Sequence, residues 1–339
     1  MATASTEPSP DPFEDSFLAL IAARAVTIAT TLGVFDALAE APAAPDELAE
    51  RLGLDPLGCE TLLVALLALG YVRRDGDRHR PAPVAARLLV RSSPESIATF
   101  VGGQGELHSE ILGRLADAVR TGRPYAMHEE RRTDPAWEPY IRGLFELSRA
   151  EQDANAALVP VKAPVEMVDV AGGHGGFAMA MCRRHPSLHA TVVDLPPSAA
   201  VGRQIVAEAG FEERVSFREG DVFETDLGSG LDVVSVVNLV HHLPDERNLE
   251  LCRRARSALR PGGCLVVGES ERPASREGGP GAALSQTGAL SGLLFYAWSG
   301  GRTYTGDELR GFFLETGFHD VELHRNERSP WRVVIVGRA

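Results

Sequence analysis

At 339 residues the chain exceeds one ordinary domain and suits two. Its 44% hydrophobic and 24% charged content is that of a globular protein and excludes a disordered one. A net charge of -13 opposes binding to nucleic acid or to an anionic membrane, both of which are negative.

Residues 1–12, rich in Pro, Ser, Thr and acid, read as a disordered tail, and no basic stretch precedes an apolar core as in a signal peptide. The longest apolar run, around Leu62–Val72, falls far short of the ~20 residues that span a bilayer. Cys59, Cys182, Cys252 and Cys264 lack metal-ligand spacing and read as reduced, buried thiols, so a cytoplasmic location is expected. From Phe13 to about Leu38, Phe17, Leu20, Ile21, Ile28, Leu32 and Phe35 recur at helical spacing and predict one helix or two. Pro45 to Gly53 predicts a short helix with acids in its first turn and a glycine stop. A second helix is expected over Leu57–Leu69, then a hairpin over Tyr71–Pro81 that turns at Asp75-Gly76-Asp77. Helix, turn, helix and hairpin make the winged-helix pattern, assigned to residues 13–93. As a DNA reader its second helix would carry basic residues toward the groove. It carries none and is apolar nearly all round, which predicts burial in its own domain or against another chain.

Residues 94–160 are expected to form a helical linker, with one helix over Leu107–Val119 and a turn at Arg120–Pro124. Composition changes at Lys162-Ala163-Pro164, and residues 161–339 carry the doubly wound α/β pattern. Its strands are expected at Val165–Val170, Ala190–Asp194, Val215–Glu219, Leu231–Asn238 and Gly263–Gly268. Val321–His324 and Trp331–Val336 read as a closing antiparallel hairpin, an ending that suits a methyltransferase sheet better than the parallel sheet of a dinucleotide dehydrogenase. Glu277 to Gly281 reads as a surface loop.

Asp169-Val170-Ala171-Gly172-Gly173-His174-Gly175-Gly176 lies where the first strand gives way to a helix. Gly172, Gly173 and Gly175 let the chain turn tightly and bring N–H groups against a ligand. The turn alone would pass for a dinucleotide fingerprint, with Asp194 at ribose spacing. Two features favour S-adenosylmethionine instead. Asp169 offers a carboxylate to the cationic amino group of a methionine moiety, whereas it would repel a pyrophosphate. Gly220-Asp221-Val222-Phe223, after the third strand, offers a carboxylate for an adenine amino group and an apolar edge for the ring. Asp221 as a simple turn cap is the alternative. Leu195 and Asn238, at the ends of the second and fourth strands, complete the candidate cofactor residues.

Val168–Pro197, Gly220–Phe223, Val240-His241-His242-Leu243-Pro244-Asp245-Glu246, Arg260-Pro261-Gly262-Gly263 and Gly300-Gly301-Arg302-Thr303-Tyr304-Thr305 together resemble the caffeic acid and hydroxyneurosporene type of small-molecule O-methyltransferase. The resemblance covers most of the chain. It implies a Rossmann-like class I methyltransferase sheet (α/β) with an antiparallel last strand, behind a mainly helical winged-helix domain. It also implies S-adenosyl-L-methionine as cofactor, S-adenosyl-L-homocysteine as product, no metal, and a homodimer whose N-terminal helices interlock. The acceptor would be a small aromatic or polyketide-like molecule.

The same resemblance makes His241 the base that takes the acceptor's hydroxyl proton, and Glu269, beyond the fifth strand, the carboxylate that orients it. With a phenol pKa of about 10 against about 6.5 for imidazole, this transfer needs close alignment. The chain departs from the family at His242 (often Asp), Leu243 (often aromatic), Thr303 (a second Glu in plant members) and Ala171 (the first glycine). Leu144, Phe145 and Ser148, with His242, Leu290, Leu294, Phe295 and Trp298, are expected to line the acceptor pocket. Glu106 and His108, beside an apolar helix face, read as solvated. Relatives that bind S-adenosylmethionine yet catalyse hydroxylation, decarboxylation or pericyclic reactions supply the alternative chemistry, and a ligand-sensing DNA binder is a third reading.

Overall fold

The computed structural model describes residues 11–126, 128, 135, 137–272, 282–326 and 329–339; most of the expected tail and the expected loop at 277–281 lie outside them. The chain falls into two compact units, the first ending at Leu107 and the second beginning at His108.

In the first unit the expected helical stretch from Phe13 is divided into a π-helical turn, Phe13–Leu18, and two helices, Ala19–Thr31 and Val34–Glu40. The break falls at Gly33, whose φ of 77° suits glycine. Pro45–Leu52 stops at Gly53, as its sequence predicts. The next helix, Pro56–Ala68, starts one residue before the apolar periodicity does. Pro56 has no N–H to leave unsatisfied, and the Asp55 carboxylate accepts from the Gly58 N–H at 2.8 Å. Strands β1 (Val72–Asp75) and β2 (Arg78–Pro81) form the wing, with Ala43 bridging to His79. Phe35, Leu38, Leu48, Leu63 and Leu66 make a dry core, whereas Phe13, Leu20, Leu57 and Val64 are 58%, 62%, 70% and 60% exposed. That is more apolar surface than a small unit usually leaves in water.

In the second unit the helix expected over Leu107–Val119 proves to be two, Gly105–Gly113 and Leu115–Thr121. Gly113, a poor helix former, and Arg114 (φ -98°, ψ 1°) interrupt it. A long helix, Trp137–Ala157, then packs along Gly176–Arg184 and Pro196–Glu208, with ion pairs Asp153–Arg183 at 2.8 Å and Arg142–Glu208 at 2.9 Å at its edges.

The sheet holds seven strands: β3 (Glu166–Val170), β4 (His189–Asp194), β5 (Val215–Glu219), β6 (Leu231–Val237), β7 (Leu259–Ser270), β8 (His319–Asn326) and β9 (Ser329–Arg338). Their order is β5-β4-β3-β6-β7-β9-β8, and β9 runs antiparallel to both neighbours. This is the Rossmann-like class I methyltransferase sheet, and its central strand β6 is buried almost throughout because helices cover both faces. The order reverses between β3 and β6, so their C-terminal ends border the crevice where open α/β sheets bind ligands. β7 outruns the expected Gly263–Gly268. Pairing with β9 continues through Glu269↔Val333 and Ser270↔Arg332, so Glu269 lies within the strand rather than beyond it.

No single helix among the described residues is long and apolar enough to cross a membrane.

Candidate active site

β3 ends at Val170, and the glycine turn follows with Ala171, Gly173 and Gly175 at φ of 52°, 49° and 71° before Gly176 opens a helix. Only Ala171 bears a Cβ in this left-handed region, at a cost of about 1–2 kcal/mol. The turn is packed from below and behind. A Cβ on Gly172 would stand 2.4 Å from Asp169 Oδ2, and one on Gly202 would stand 2.3 Å from the Gly173 carbonyl oxygen. At the end of β4, Asp194 accepts the N–H groups of Gly173 and Leu195, both at 2.7 Å. Asp169 accepts the Ser235 hydroxyl at 2.6 Å through Oδ1, while its Oδ2 is buried and has no donor. Burial raises the Asp169 pKa to about 7 and the Asp194 pKa to about 6. A buried carboxylate oxygen without a donor costs free energy that a ligand cation would recover. The turn, Asp169 and Asp194 therefore fit a cofactor carrying an ammonium group and a ribose.

Asp221 is exposed and accepts the Phe223 N–H at 2.8 Å, so it does cap its turn. Val222 is buried, and the Arg247 guanidinium covers one face of Phe223, 3.4 Å from the ring centre. Asn238, at φ 58° just past β6, accepts from Arg332, which also reaches Glu151 on the long helix at 3.2 Å. Its amide oxygen is thus committed to protein.

His241 sits in the 3-10 turn Val240–His242 that follows β6, 3% exposed, against Glu269 at 2%. Its Nδ1 lies 2.6 Å from Glu269 Oε2. A carboxylate accepts here, so Nδ1 carries the proton and Nε2 is left as a bare acceptor. Phe295 stacks on the imidazole with ring centres 3.7 Å apart and planes 13° apart, and the Arg302 N–H holds the His241 carbonyl at 3.0 Å. The departure at Thr303 has a packing reason. Its buried hydroxyl donates to the Gly288 carbonyl at 3.1 Å, and a Cβ on Gly292 would stand 2.7 Å from it. A glutamate would not fit beneath that helix, and the stack on Phe295 orients the imidazole instead. His242, with ring centre 4.2 Å from that of His241, has its Nδ1 2.8 Å from Ser299 Oγ. Burial first, then the neighbouring His241 and His128, holds its pKa well below the usual range.

Around this pair the expected acceptor residues divide. Phe295 and Trp298 come from the Ala282–Ser299 helix and join the histidines directly, and Leu294 is half-buried on the same helix. Leu290 is 65% exposed and makes no part of the cluster. Leu144, Phe145 and Ser148 lie on the Trp137–Ala157 helix, where Phe145 meets His174 with ring centres 5.6 Å apart. Glu106 is exposed in an ion pair with Arg24 at 3.2 Å. His108, expected in solvent, instead packs edge-on against Trp298 at 5.4 Å, and burial lowers its pKa to about 4. Sequence reasoning missed Trp137, Tyr140, His128 and His174. Trp137 and Tyr140 had a signal, because with Leu144 and Ser148 they repeat at helical spacing on one face. Among the described residues no group of three His, Cys, Asp or Glu side chains is placed to hold a metal.

Residues 113–319 match an O-methyltransferase domain, and residues 15–91 match an O-methyltransferase dimerisation domain. The chain is 32% identical to 3-hydroxy-5-methyl-1-naphthoate 3-O-methyltransferase of Streptomyces sahachiroi, over 93% of this chain and 91% of that one. It is 31% identical to the tetracenomycin polyketide synthesis 8-O-methyl transferase of Streptomyces glaucescens, over 90% of each. The fold is shared with human N-acetylserotonin methyltransferase in complex with SAM, at a TM-score of 0.85 and 24% identity over 98% of this chain and 99% of that one.

Proposed function

The chain belongs to the O-methyltransferase family and depends on S-adenosylmethionine; from that premise we propose that it methylates a phenolic or enolic hydroxyl of a small natural product, with His241 as general base. The observation that carries this reading is the buried His241–Glu269 pair at the end of β6 and β7. The aromatic side chains of Phe295, Trp298 and Tyr140 around it suit a flat acceptor. The named relatives act on a hydroxynaphthoate and in the synthesis of a polyketide.

When bound, S-adenosylmethionine supplies an electrophilic methyl group on a sulfonium. Asp169 would hold its ammonium, Asp194 its ribose, and Asp221 with Val222 and Phe223 its adenine. His241 Nε2 accepts the hydroxyl proton as the oxygen becomes nucleophilic, and Glu269 stabilises the imidazolium that forms. His242, kept neutral by burial, adds no positive charge to the His241 cluster. The test is incubation of the protein with S-adenosylmethionine bearing a deuterated methyl group and an extract of natural products. Mass spectrometry should find the label on a hydroxyl oxygen; label on carbon or nitrogen, or none at all, would overturn the reading.

Two further outcomes follow from the carboxylates. Asp194→Ala should weaken S-adenosylhomocysteine binding about tenfold or more by calorimetry, since each charge-assisted hydrogen bond contributes roughly 1.5–3 kcal/mol. The affinity should also rise with pH. Asp169, with its pKa raised to about 7, is protonated in the free protein at acid pH, and holding an ammonium requires it ionised. Binding below neutrality must expel that proton, so affinity at about pH 5.5 should be roughly thirtyfold weaker than at about pH 8. Calorimetry in buffers of different ionisation enthalpy should register the released proton, and Asp169→Asn should leave only the shallower dependence of Asp194, whose pKa is raised to about 6. A flat profile in the unsubstituted protein would remove Asp169 from the ammonium.

The match to a dimerisation domain supports a homodimer, and light scattering should return twice the 36.3 kDa chain mass. Charge on the exposed apolar helices, as in Leu57→Glu with Val64→Glu, should shift it toward monomer.

A further inference from the structure

His174 lies between Gly173 and Gly175 in the glycine turn, yet its side chain is not spent on the turn alone. The Gly176 N–H donates to His174 Nδ1 at 3.0 Å. A backbone N–H has no other role to play, so Nδ1 is bare and the ring proton sits on Nε2. That Nε2 lies 3.3 Å from Ser148 Oγ on the Trp137–Ala157 helix. The Ser148 hydroxyl in turn lies 3.3 Å from the Phe145 carbonyl, its remaining acceptor. All three bonds therefore run one way, from turn to imidazole to helix, and only the neutral Nε2–H tautomer permits them. Burial lowers the His174 pKa to about 4, so the ring stays neutral at physiological pH.

The surroundings are built around this ring. A Cβ on Gly176 would stand 2.8 Å from His174 Nδ1, so glycine there makes the room that the imidazole fills. Phe145 tilts against the ring, and Gln152, one turn beyond Ser148, is 4% exposed with its Oε1 unpartnered. Phe145, Ser148 and Gln152 thus form a helix stripe that faces the glycine turn. The same turn holds Asp194 through the Gly173 N–H, and the same helix carries the expected acceptor-lining side chains.

From these contacts we infer that His174 is a positioning residue, the side chain through which filling of the cofactor turn fixes the acceptor-lining helix, and that Ser148 is its receiving end. This rests on the turn being the S-adenosylmethionine site. Coupling of this kind is reciprocal: whatever orders the turn orders the helix, and a loosened helix weakens the turn's ligand.

His174→Asn separates the two halves. Its Oδ1 can still accept from the Gly176 N–H, but asparagine is too short to reach Ser148. Ser148→Ala cuts the other end. Hydrogen–deuterium exchange would be followed on the full chain with and without saturating S-adenosylhomocysteine, with thermal melting as the check on folding. In the unsubstituted protein the ligand should slow exchange in peptides covering residues 170–178 and 144–152. In either variant slowing of the turn should persist while slowing of the helix is lost, and the dissociation constant should rise about fivefold or more. The double variant should bind no more weakly than the weaker single one, because both break one link. Additive losses would overturn the inference, and so would a His174→Asn protein whose helix is still slowed and whose affinity is unchanged. Absence of any S-adenosylhomocysteine binding by the unsubstituted protein would sink the cofactor reading and this inference together.

Discussion

Replacement of His241 by alanine is expected to cut the rate of methyl transfer by about 10²–10⁴ while S-adenosylhomocysteine affinity stays nearly constant. The hydroxyl of a phenol holds its proton at neutral pH, so the rate depends on an acceptor aligned with it. His241 is fitted for that task on three counts: a bare Nε2, an Nδ1–H anchored to Glu269 at 2.6 Å, and a ring plane fixed by Phe295. The imidazole is 3% exposed, so water gives little competition for the proton. Glu269→Gln should cost less, about tenfold, because the amide oxygen can still accept the Nδ1–H but no longer stabilises an imidazolium. His242→Ala is the control, as its Nδ1 faces Ser299 rather than a carboxylate. Single-turnover rates with the acceptor found in the extract, beside calorimetry on each variant, decide the matter. Loss of turnover in His242→Ala with retention in His241→Ala would move the base by one residue. Full activity in both would show that an acidic acceptor needs no base.

The parts of this site that the sequence discloses are the local ones. Glycines at a strand end, an acid before them and an acid at the next strand end lie within a few residues of what they shape, so the gathering of Asp169, Gly172, Gly173 and Asp194 at one turn could be read. The wing at β1 and β2 was legible for the same reason, since its turn residues adjoin both strands. What escaped depends on distant partners. Glu269 belongs to β7 only because β9, some sixty residues later, pairs with it. The helix expected from Leu107 is cut at Gly113, where the apolar spacing continues but the backbone does not. Thr303 read as a departure from the second glutamate of plant members, whereas close packing of Gly288 and Gly292 leaves no space for a longer side chain. His174 received no role from the sequence because its partner, Ser148, lies on a helix of the preceding segment. Periodicity reports which face of a helix is buried, and it is silent on which ring will meet it.

The second large effect is expected where a backbone, not a side chain, supports the proposed base. Gly301 opens the Gly301-Arg302-Thr303-Tyr304 stretch, and a Cβ placed on it would fall 1.7 Å from the His241 carbonyl oxygen and 3.0 Å from the His242 Cα. Both obstacles are backbone, so no rotamer change can relieve them. Something larger must move, and the choices are limited. Arg302 is held by its N–H on the His241 carbonyl and by ion pairs to Asp245 and Glu308. Tyr304, fully buried, is held 2.9 Å from Asp245 Oδ1 and accepts the Asn248 amide at 3.1 Å. The added methyl bears directly on the His241 carbonyl, so Gly301→Ala should shift the imidazole relative to Glu269. A displacement near 1 Å at a catalytic group costs on the order of 10²-fold in rate, and overpacking of this kind typically costs 1–3 kcal/mol of stability. Turnover should therefore fall about a hundredfold with a melting point lowered by several degrees, while S-adenosylhomocysteine still binds. Gly202→Ala is the mirror case. Its Cβ would strike the Gly173 carbonyl and the Phe217 ring, so cofactor affinity should fall first. Gly311→Ala, on a helix with nothing within 4 Å, should instead stabilise the protein by about 0.5–1 kcal/mol and leave both readouts alone. If Gly301→Ala turned over at the original rate and melted at the original temperature, the close approach of that backbone to His241 would not be what holds the base in place.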